Sequence, residues 1–545
     1  MKTPFFILIF SFSTFLCGQN YDTNWKGHFS FLNIKKVVEA ENKFYAASEN
    51  ALFSYDTQTN QLNTITTVNG LSGELISTLH YSYEYQLLLI GYENGLIEIY
   101  SETDQEILKV VDIINKVTIP PSQKKINHFN EFNSLIYIAT DYGISVYSLE
   151  GLEFGDTYYI GSNGSQIRVN QTAILNNEIY AACGLNNGIK KASLSNSNLT
   201  DFQLWGTIVS GDFTAVLASA SSIYAVNLSN TIFEINGTAL NTLFNFPQPV
   251  VELNTSETKL LVTTNSKVYQ YGPGFNLIDT YSLPTELDTF FTCALITGAD
   301  VYIGTKNYGI IRPDPLAVYG YEEIHPEGPL RNAAFSLTYG YGNLWVTYGE
   351  YSIFFNPSPS RNYGISNYVD MNWHNTTYDS IQQATNKTVS NLNAISINPL
   401  NPDQVFISSF AHGLLNFQKE ESITVLDDSN SALESLVLPG SPNYKSIRIS
   451  GSTFDGNGNL WVLNSKVDNA LKKFNPSNLS WTSYDFSNVI SDPIDEELGF
   501  SEVVTGSGQT KWIGSYNKGL IGFNESGMLL KNISPESALS RRDII

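Results

Sequence analysis

The sequence predicts an all-β chain of tandem β-propellers, the first seven-bladed and the second incomplete with about four blades. Three observations carry that expectation. A strand–turn–strand frame recurs, so that Ile136-Tyr137-Ile138-Ala139-Thr140-Asp141-Tyr142-Gly143-Ile144 matches Val301-Tyr302-Ile303-Gly304-Thr305-Lys306-Asn307-Tyr308-Gly309-Ile310. An apolar marker falls once per repeat, at Tyr45, Leu89, Tyr137, Tyr180, Tyr224, Leu261, Tyr302, Trp345, Phe406, Trp461 and Trp512. Its steps run roughly 37–48 residues and then roughly 51–61, close to the period of propeller blades. Finally, β-branched and aromatic residues dominate and no long segment repeats every 3.6 residues, which disfavours helical repeats.

The elements follow in order. Residues 1–18 read as a secretory signal: Lys2 gives the positive start, Phe5 to Leu16 the apolar run, and Leu16-Cys17-Gly18 a cleavage site before Gln19. The run is short for a membrane span. Cys17 raises the question of a lipid anchor, although Leu16 before it is a poor fit to the small residue such a site prefers. The span 19–315 then holds the seven markers Tyr45 to Tyr302. Small residues after a marker, as in Ala46-Ala47-Ser48 and Ile90-Gly91, allow close packing, and Gly or Asn supplies the positive φ of hairpin turns. Arg312-Pro313-Asp314-Pro315 through His325-Pro326-Glu327-Gly328-Pro329 breaks the rhythm and reads as a linker or domain junction, because proline removes ladder donors. The span 316–545 holds the four markers Trp345 to Trp512 and stops at Arg541-Arg542-Asp543-Ile544-Ile545, which reads as a propeller cut short with an aggregation-prone open edge.

Composition narrows the function classes. Of 545 residues 42% are hydrophobic and only 15% charged, so the surface is rich in neutral polar side chains, as in secreted β proteins. A formal charge of −22 argues against nucleic acid and against general affinity for anionic membranes. Lys124-Lys125 and Arg541-Arg542 are too short to demonstrate a local basic patch and read as solvated turns. Cys183 and Cys293 sit in strand-like contexts and read as buried free thiols rather than a disulfide.

Several residue groups have the composition of possible sites. Asp455-Gly456-Asn457-Gly458-Asn459 has the oxygen-rich look of a calcium loop but lacks a downstream bidentate Glu, and a hairpin turn is the plainer reading. His28, His80, His128, His325, His374 and His412 show no metal-ligand spacing. No G-x-S-x-G elbow is present, so the chain is not expected to be an enzyme, and no cofactor is expected. Tyr81, Tyr83 and Tyr85 alternate and would share one strand face, as a sugar platform or as blade packing; Tyr158-Tyr159 carries the same ambiguity. Composition and spacing nominate no catalytic, metal or ligand-binding residue.

Longer runs carry a resemblance. Ala47-Ser48-Glu49-Asn50-Ala51, Asn69-Gly70-Leu71-Ser72-Gly73, Gly91-Tyr92-Glu93-Asn94-Gly95-Leu96-Ile97-Glu98, Ile119-Pro120-Pro121 with Lys125-Ile126-Asn127-His128-Phe129, and Leu152-Glu153-Phe154-Gly155-Asp156-Thr157-Tyr158-Tyr159-Ile160-Gly161 are similar to the N-terminal propeller region of the PorZ family of Bacteroidetes type IX secretion. Gly328-Pro329-Leu330-Arg331-Asn332 and Leu344-Trp345-Val346-Thr347-Tyr348-Gly349 extend the similarity into the second half. The resemblance implies two seven-bladed propellers and a C-terminal sorting domain, from which this sequence departs by about three blades and that domain. It implies a non-enzymatic subunit of the attachment complex, exposed on the outer-membrane cell surface. That subunit recognises anionic lipopolysaccharide and delivers it to the sortase-like PorU, alongside PorV and PorQ. The net negative charge sits awkwardly with an anionic ligand and calls for a local site of opposite character. A periplasmic propeller sensor of a hybrid two-component regulator is the alternative; a propeller hydrolase or lyase is disfavoured by the missing catalytic constellation.

Overall fold

A computed structural model describes residues 26–533 except 257, 286, 319, 353, 420–421, 439, 487–498, 507–509, 517–518 and 525–528, and for 529–533 the backbone only. The signal segment with Cys17, and the stretch Arg541-Arg542-Asp543-Ile544-Ile545, lie outside the described residues.

The chain is all-β, and its strands form four-stranded antiparallel sheets in which strands pair in chain order. Seven sheets span 36–65, 76–110, 126–158, 169–209, 213–245, 250–282 and 291–324; four more span 336–376, 392–426, 448–484 and 500–533. These are blades one to eleven. Two compact units result: 34–304 with 312–322, and 323–545 with Phe29–Asn33 and Thr305–Ile311. The short N-terminal segment at 29–33 is thus part of the second unit: Ser30 Oγ donates to the Leu330 carbonyl at 2.9 Å and its N–H to Asn332 Oδ1 at 2.7 Å.

Each blade buries its faces against its neighbours, as a propeller requires. Tyr45, Leu79, Ile90 and Tyr92 share one core between blades one and two; Ile97, Phe129 and Ile138 share the next. In the first unit the innermost strand of blade seven, Phe291–Thr297, lies beside that of blade one, Lys36–Glu39, and closes the ring. Tyr302 of blade seven packs on Phe44 of blade one with ring centroids 4.8 Å apart. In the second unit the inner strands of blades eight to eleven neighbour one another in sequence order.

Side chains stitch one blade's inner strand to the next. Asn127, Asn130 and Asn170 donate their amides to the carbonyls of Val169, Thr172 and Phe213 at 2.9, 3.0 and 2.7 Å. Asn393 reaches Ile449 O at 3.0 Å and Ser396 reaches Ser452 O at 2.7 Å in the same way. An inner strand has its outer edge in the blade ladder and its inner edge bare. These amides satisfy carbonyls on the bare edge.

The turn glycines explain the recurring frame. Gly143 has φ +146, and a Cβ there would sit 2.4 Å from the Tyr158 carbonyl. Gly188 has φ +74 and would meet Val209 O at 1.9 Å. The third strand begins at both positions, so side chains are excluded by backbone conformation and by the fourth strand together.

Two expectations change. The proline-bearing stretch after 310 first supplies the outer two strands of blade seven, Ile310–Pro313 and Tyr321–Ile324, where a linker was one expectation, while the division between the two units does fall inside it, after Glu322. Pro313 can end an outer strand because it needs no further ladder donor there. The tyrosine triplet does not share a strand face: the strand ends at Ser82, and 83–86 form a turn in which Gln86 takes φ +53 and Ser82 Oγ accepts the Tyr85 N–H. The reading also missed a short helix, Tyr378–Thr385, capped by Thr377.

Candidate functional site

The axis of the first unit is the most built feature of the chain. All seven inner strands contribute to a polar cavity where they begin, lined by Ser77, Asn127, Asn170, Thr214, Glu252 and Thr292 among others. Propeller geometry explains this: alternate residues of an inner strand face either the neighbouring blade or the axis, and seven blades leave the axis open to water.

One ion pair crosses this cavity. Lys36 Nζ lies 2.5 Å from Glu252 Oε1, and Glu252 Oε2 accepts the Ala294 N–H at 2.9 Å. The pair spans blades one and six and fixes the inner strand of blade seven between them. Burial works against the Lys36 charge, and the Glu252 carboxylate more than offsets it, raising the ammonium above its ordinary range. His128 lines the same cavity. Burial first, then the Lys36 and His80 charges, push its imidazole down to about 3, so it is neutral at ordinary pH. Its Nδ1 is buried and makes no hydrogen bond.

Towards the ends of the inner strands a second cavity opens, lined by Glu39, His80, Tyr81, Tyr83, Glu131 and Asn254 among others. Glu131 accepts from His80 Nε2 and from Ser82 Oγ, each at 2.8 Å. Burial raises the Glu131 carboxyl, but the His80 and Ser82 hydrogen bonds outweigh it and hold it below the usual range. Tyr83 is 53% exposed, and its ring is perpendicular to that of the buried Tyr81 with centroids 5.1 Å apart. Burial, then Glu39, Tyr81 and Glu41, push its phenol up to about 12.

The other weighed residues fall into structural roles. Asp455 is buried, and its Oδ1 accepts the N–H groups of Asn457 and Asn459, both at 2.9 Å, while Oδ2 accepts the Trp461 indole N–H at 2.9 Å. Burial raises this carboxyl, but those hydrogen bonds together bring it below its usual range. The loop is a hairpin turn that spends its carboxylate on its own backbone and on the side chains of Asn459 and Trp461. Tyr158 packs on Trp205 in the core between blades three and four, and Tyr159 beside Tyr142 in the core between blades two and three. His325 Nδ1 lies 3.0 Å from the Pro326 carbonyl, and His412 Nδ1 lies 3.1 Å from Ser390 Oγ. Cys183 and Cys293 are buried free thiols, with burial pushing both up to about 12. Among the described residues no three His, Cys, Asp or Glu side chains are grouped to hold a metal ion, and no helix is long and apolar enough to cross a membrane.

Sequence reasoning singled out Tyr81 and Tyr83 but missed Lys36, Glu252, His128, Glu131 and Glu39 as neighbours on one axis. They sit on the inner strands of three repeats, Lys36 and Glu39 on blade one, His128 and Glu131 on blade three and Glu252 on blade six, and only the phase of the inner strand, which precedes the marker strand in each blade, could have aligned them.

Comparison with known proteins follows this architecture. Residues 44–206 match the family model described as the PorZ N-terminal β-propeller domain of type IX secretion. Among solved structures, PorZ of Porphyromonas gingivalis, an essential bacterial surface component of the type IX secretion system, is 17% identical with a TM-score of 0.76. The alignment covers 92% of this chain and 66% of that one, so the chain spans just under two thirds of that protein. The extracellular domains of a putative one-component and a putative hybrid two-component system of B. thetaiotaomicron align at 13% and 10% identity, each with a TM-score of 0.40. They cover 93% and 94% of this chain and 73% and 72% of their own. No curated protein matches the chain. Residues 44–206, which lie in blades one to four, are thus similar to the PorZ N-terminal propeller domain, and across most of its length the chain shares the tandem-propeller fold of PorZ.

Proposed function

We propose that the chain is a non-enzymatic propeller component of type IX secretion, exported by the signal at 1–18 and working at the outer-membrane cell surface. Its role on this reading is to recognise anionic lipopolysaccharide and deliver it to a sortase-like PorU partner, within an attachment complex that includes PorV and PorQ. The frame of two propellers, 19–315 and 316–545, belongs to the same proposal, with the first extended to 324 so that it keeps the outermost strand of blade seven. The observation that carries it is the family match over 44–206, supported by a fold that follows PorZ through both units. The chemistry of the first axis suits binding better than catalysis: Glu252 and Glu131 are committed to Lys36 and His80.

The test is genetic and biochemical. Deletion of the whole gene should release secreted cargo unanchored into the medium, and the full-length protein should co-purify with PorU and bind purified lipopolysaccharide. A deletion strain that anchors its cargo normally would end the secretion reading. Normal anchoring together with altered transcription of glycan-use genes would favour a periplasmic sensor instead.

A further inference from the structure

The open cavity at the finishing end of the first unit's inner strands combines features that no structural role in the ring uses up. Tyr83 is 53% exposed, and its ring stands perpendicular to that of the buried Tyr81 with centroids 5.1 Å apart, so the ring is braced by Tyr81 and still open to solvent. Glu39 and Glu84 line the same cavity, and among the described residues neither has a cation within ion-pair distance. The Nδ1 of His128, buried and without a hydrogen-bond partner, belongs to a side chain that lines this cavity too. Glu131, by contrast, is already engaged by His80 and Ser82 and stays part of the wall.

We propose that this cavity is a carbohydrate subsite that takes a pyranose bearing a protonated amine. The proposal rests on the glycan-binding reading above and gives it a location in the first unit. An aromatic face packs on the apolar C–H face of a pyranose, burying area at little cost in side-chain entropy. Free carboxylates accept from an ammonium group through charge-assisted hydrogen bonds, and Tyr83 itself attracts a nearby cation through its ring. The same carboxylates repel a phosphate or a uronate. The amine-bearing unit of a glycan would therefore seat here, and any anionic group would lie outside.

The full-length chain titrated with a glucosamine tetramer, followed by saturation-transfer NMR, tests this directly. Expected is binding of the amine-bearing oligomer at least ten-fold tighter than of its N-acetylated counterpart. Tyr83→Ala and the pair Glu39→Gln with Glu84→Gln should each weaken the former ten-fold or more. Tyr83 is exposed at a turn, and an unchanged thermal transition in that variant confirms that the fold is kept. Absence of binding, equal binding of both oligomers, or unchanged binding in Tyr83→Ala overturns the proposal. Lipopolysaccharide binding is scored separately on the wild-type chain, so a failed subsite and a failed glycan reading give different results.

Discussion

At the end where their inner strands begin, the two units treat their axes in opposite ways. The first keeps a polar cavity lined by all seven blades and crossed by Lys36–Glu252. The second is capped there by its own 348–364 loop. Phe355, buried at the tip, packs on Tyr351 of the same loop, on Phe410 of blade nine and on Tyr516 of blade eleven, while its carbonyl accepts from Arg448 of blade ten at 2.8 Å. Seven blades thus close on water with charged groups that must be paired; four blades are gathered round a single aromatic side chain. Phe355→Ala breaks this contrast hardest. The loss of a fully buried phenylalanine costs about 3–5 kcal/mol, and it should fall on the second unit alone. Hydrogen exchange should speed up at 391–412, 448–454 and 500–516, with the first unit unchanged. Unaltered exchange there would mean that the loop is an ornament rather than a hub.

The first unit is tested through its ion pair. Glu252→Ala leaves the Lys36 ammonium in the cavity with its acceptor gone and the Ala294 N–H unsatisfied. A fully buried pair would lose about 3–5 kcal/mol; this one retains some contact with water, and about 2–3 kcal/mol is expected in urea unfolding of the first unit. The double change Lys36→Met with Glu252→Met should recover most of the loss, because the cost lies in stranding one charge rather than in losing the pair. If the double variant is as unstable as the single one, the pair shapes the ring by geometry and not by charge.

The same contrast explains what the sequence could reveal. All eleven markers, from Tyr45 to Trp512, lie on the second strand of a blade. That strand is buried on both faces and flanked by ladders on both edges, so it is a near-continuous apolar run such as Leu87–Tyr92 or Leu460–Ser465. The blade count was therefore legible. The innermost strands were not, because the axis asks them for polar residues: Lys36, His128, Gln171 and Glu252 look like loop residues when read locally. The Phe355 cap was equally hidden, since its partners come from blades nine, ten and eleven. At Asp455 the plain turn reading was sound, because Asp, Gly and Asn ahead of Trp461 encode a local hydrogen-bond set that needs no distant partner.

His128 sharpens the comparison through pH. Its folded-state value of about 3 lies well below the ordinary 6.5, with burial, Lys36 and His80 as causes. Between these two values the unfolded chain binds a proton that the folded chain refuses, so stability rises with pH across that window and is lost on acidification. The slope is at most about 1.4 kcal/mol per pH unit, or up to about 2 kcal/mol between pH 6.5 and pH 5. His128→Gln removes this dependence from the first unit and leaves that of the second untouched. Urea midpoints at pH 7 and pH 5 measure it. An equal acid loss in wild type and variant would show that the imidazole is protonated in the folded ring.

The smallest effect addresses what the two units share. Asn170 and Asn393 each donate to a carbonyl on the next inner strand, at Phe213 and Ile449. Replacing either by Ala should cost about 0.5–1.5 kcal/mol, with Asn393 at the upper end because it is fully buried and water cannot take over its acceptor. If closure of the seven-bladed ring shares the load among blades, Asn170→Ala should leave the unfolding transition single and sharp. In the second unit, where Asn393 stitches blade nine to blade ten, Asn393→Ala should instead loosen the inner strand at 448–454 locally, before the unit unfolds. Hydrogen exchange separates the two outcomes. Identical behaviour in both units would mean that each blade junction is held by its own hydrophobic core and stitch, and that ring closure adds nothing to a single junction.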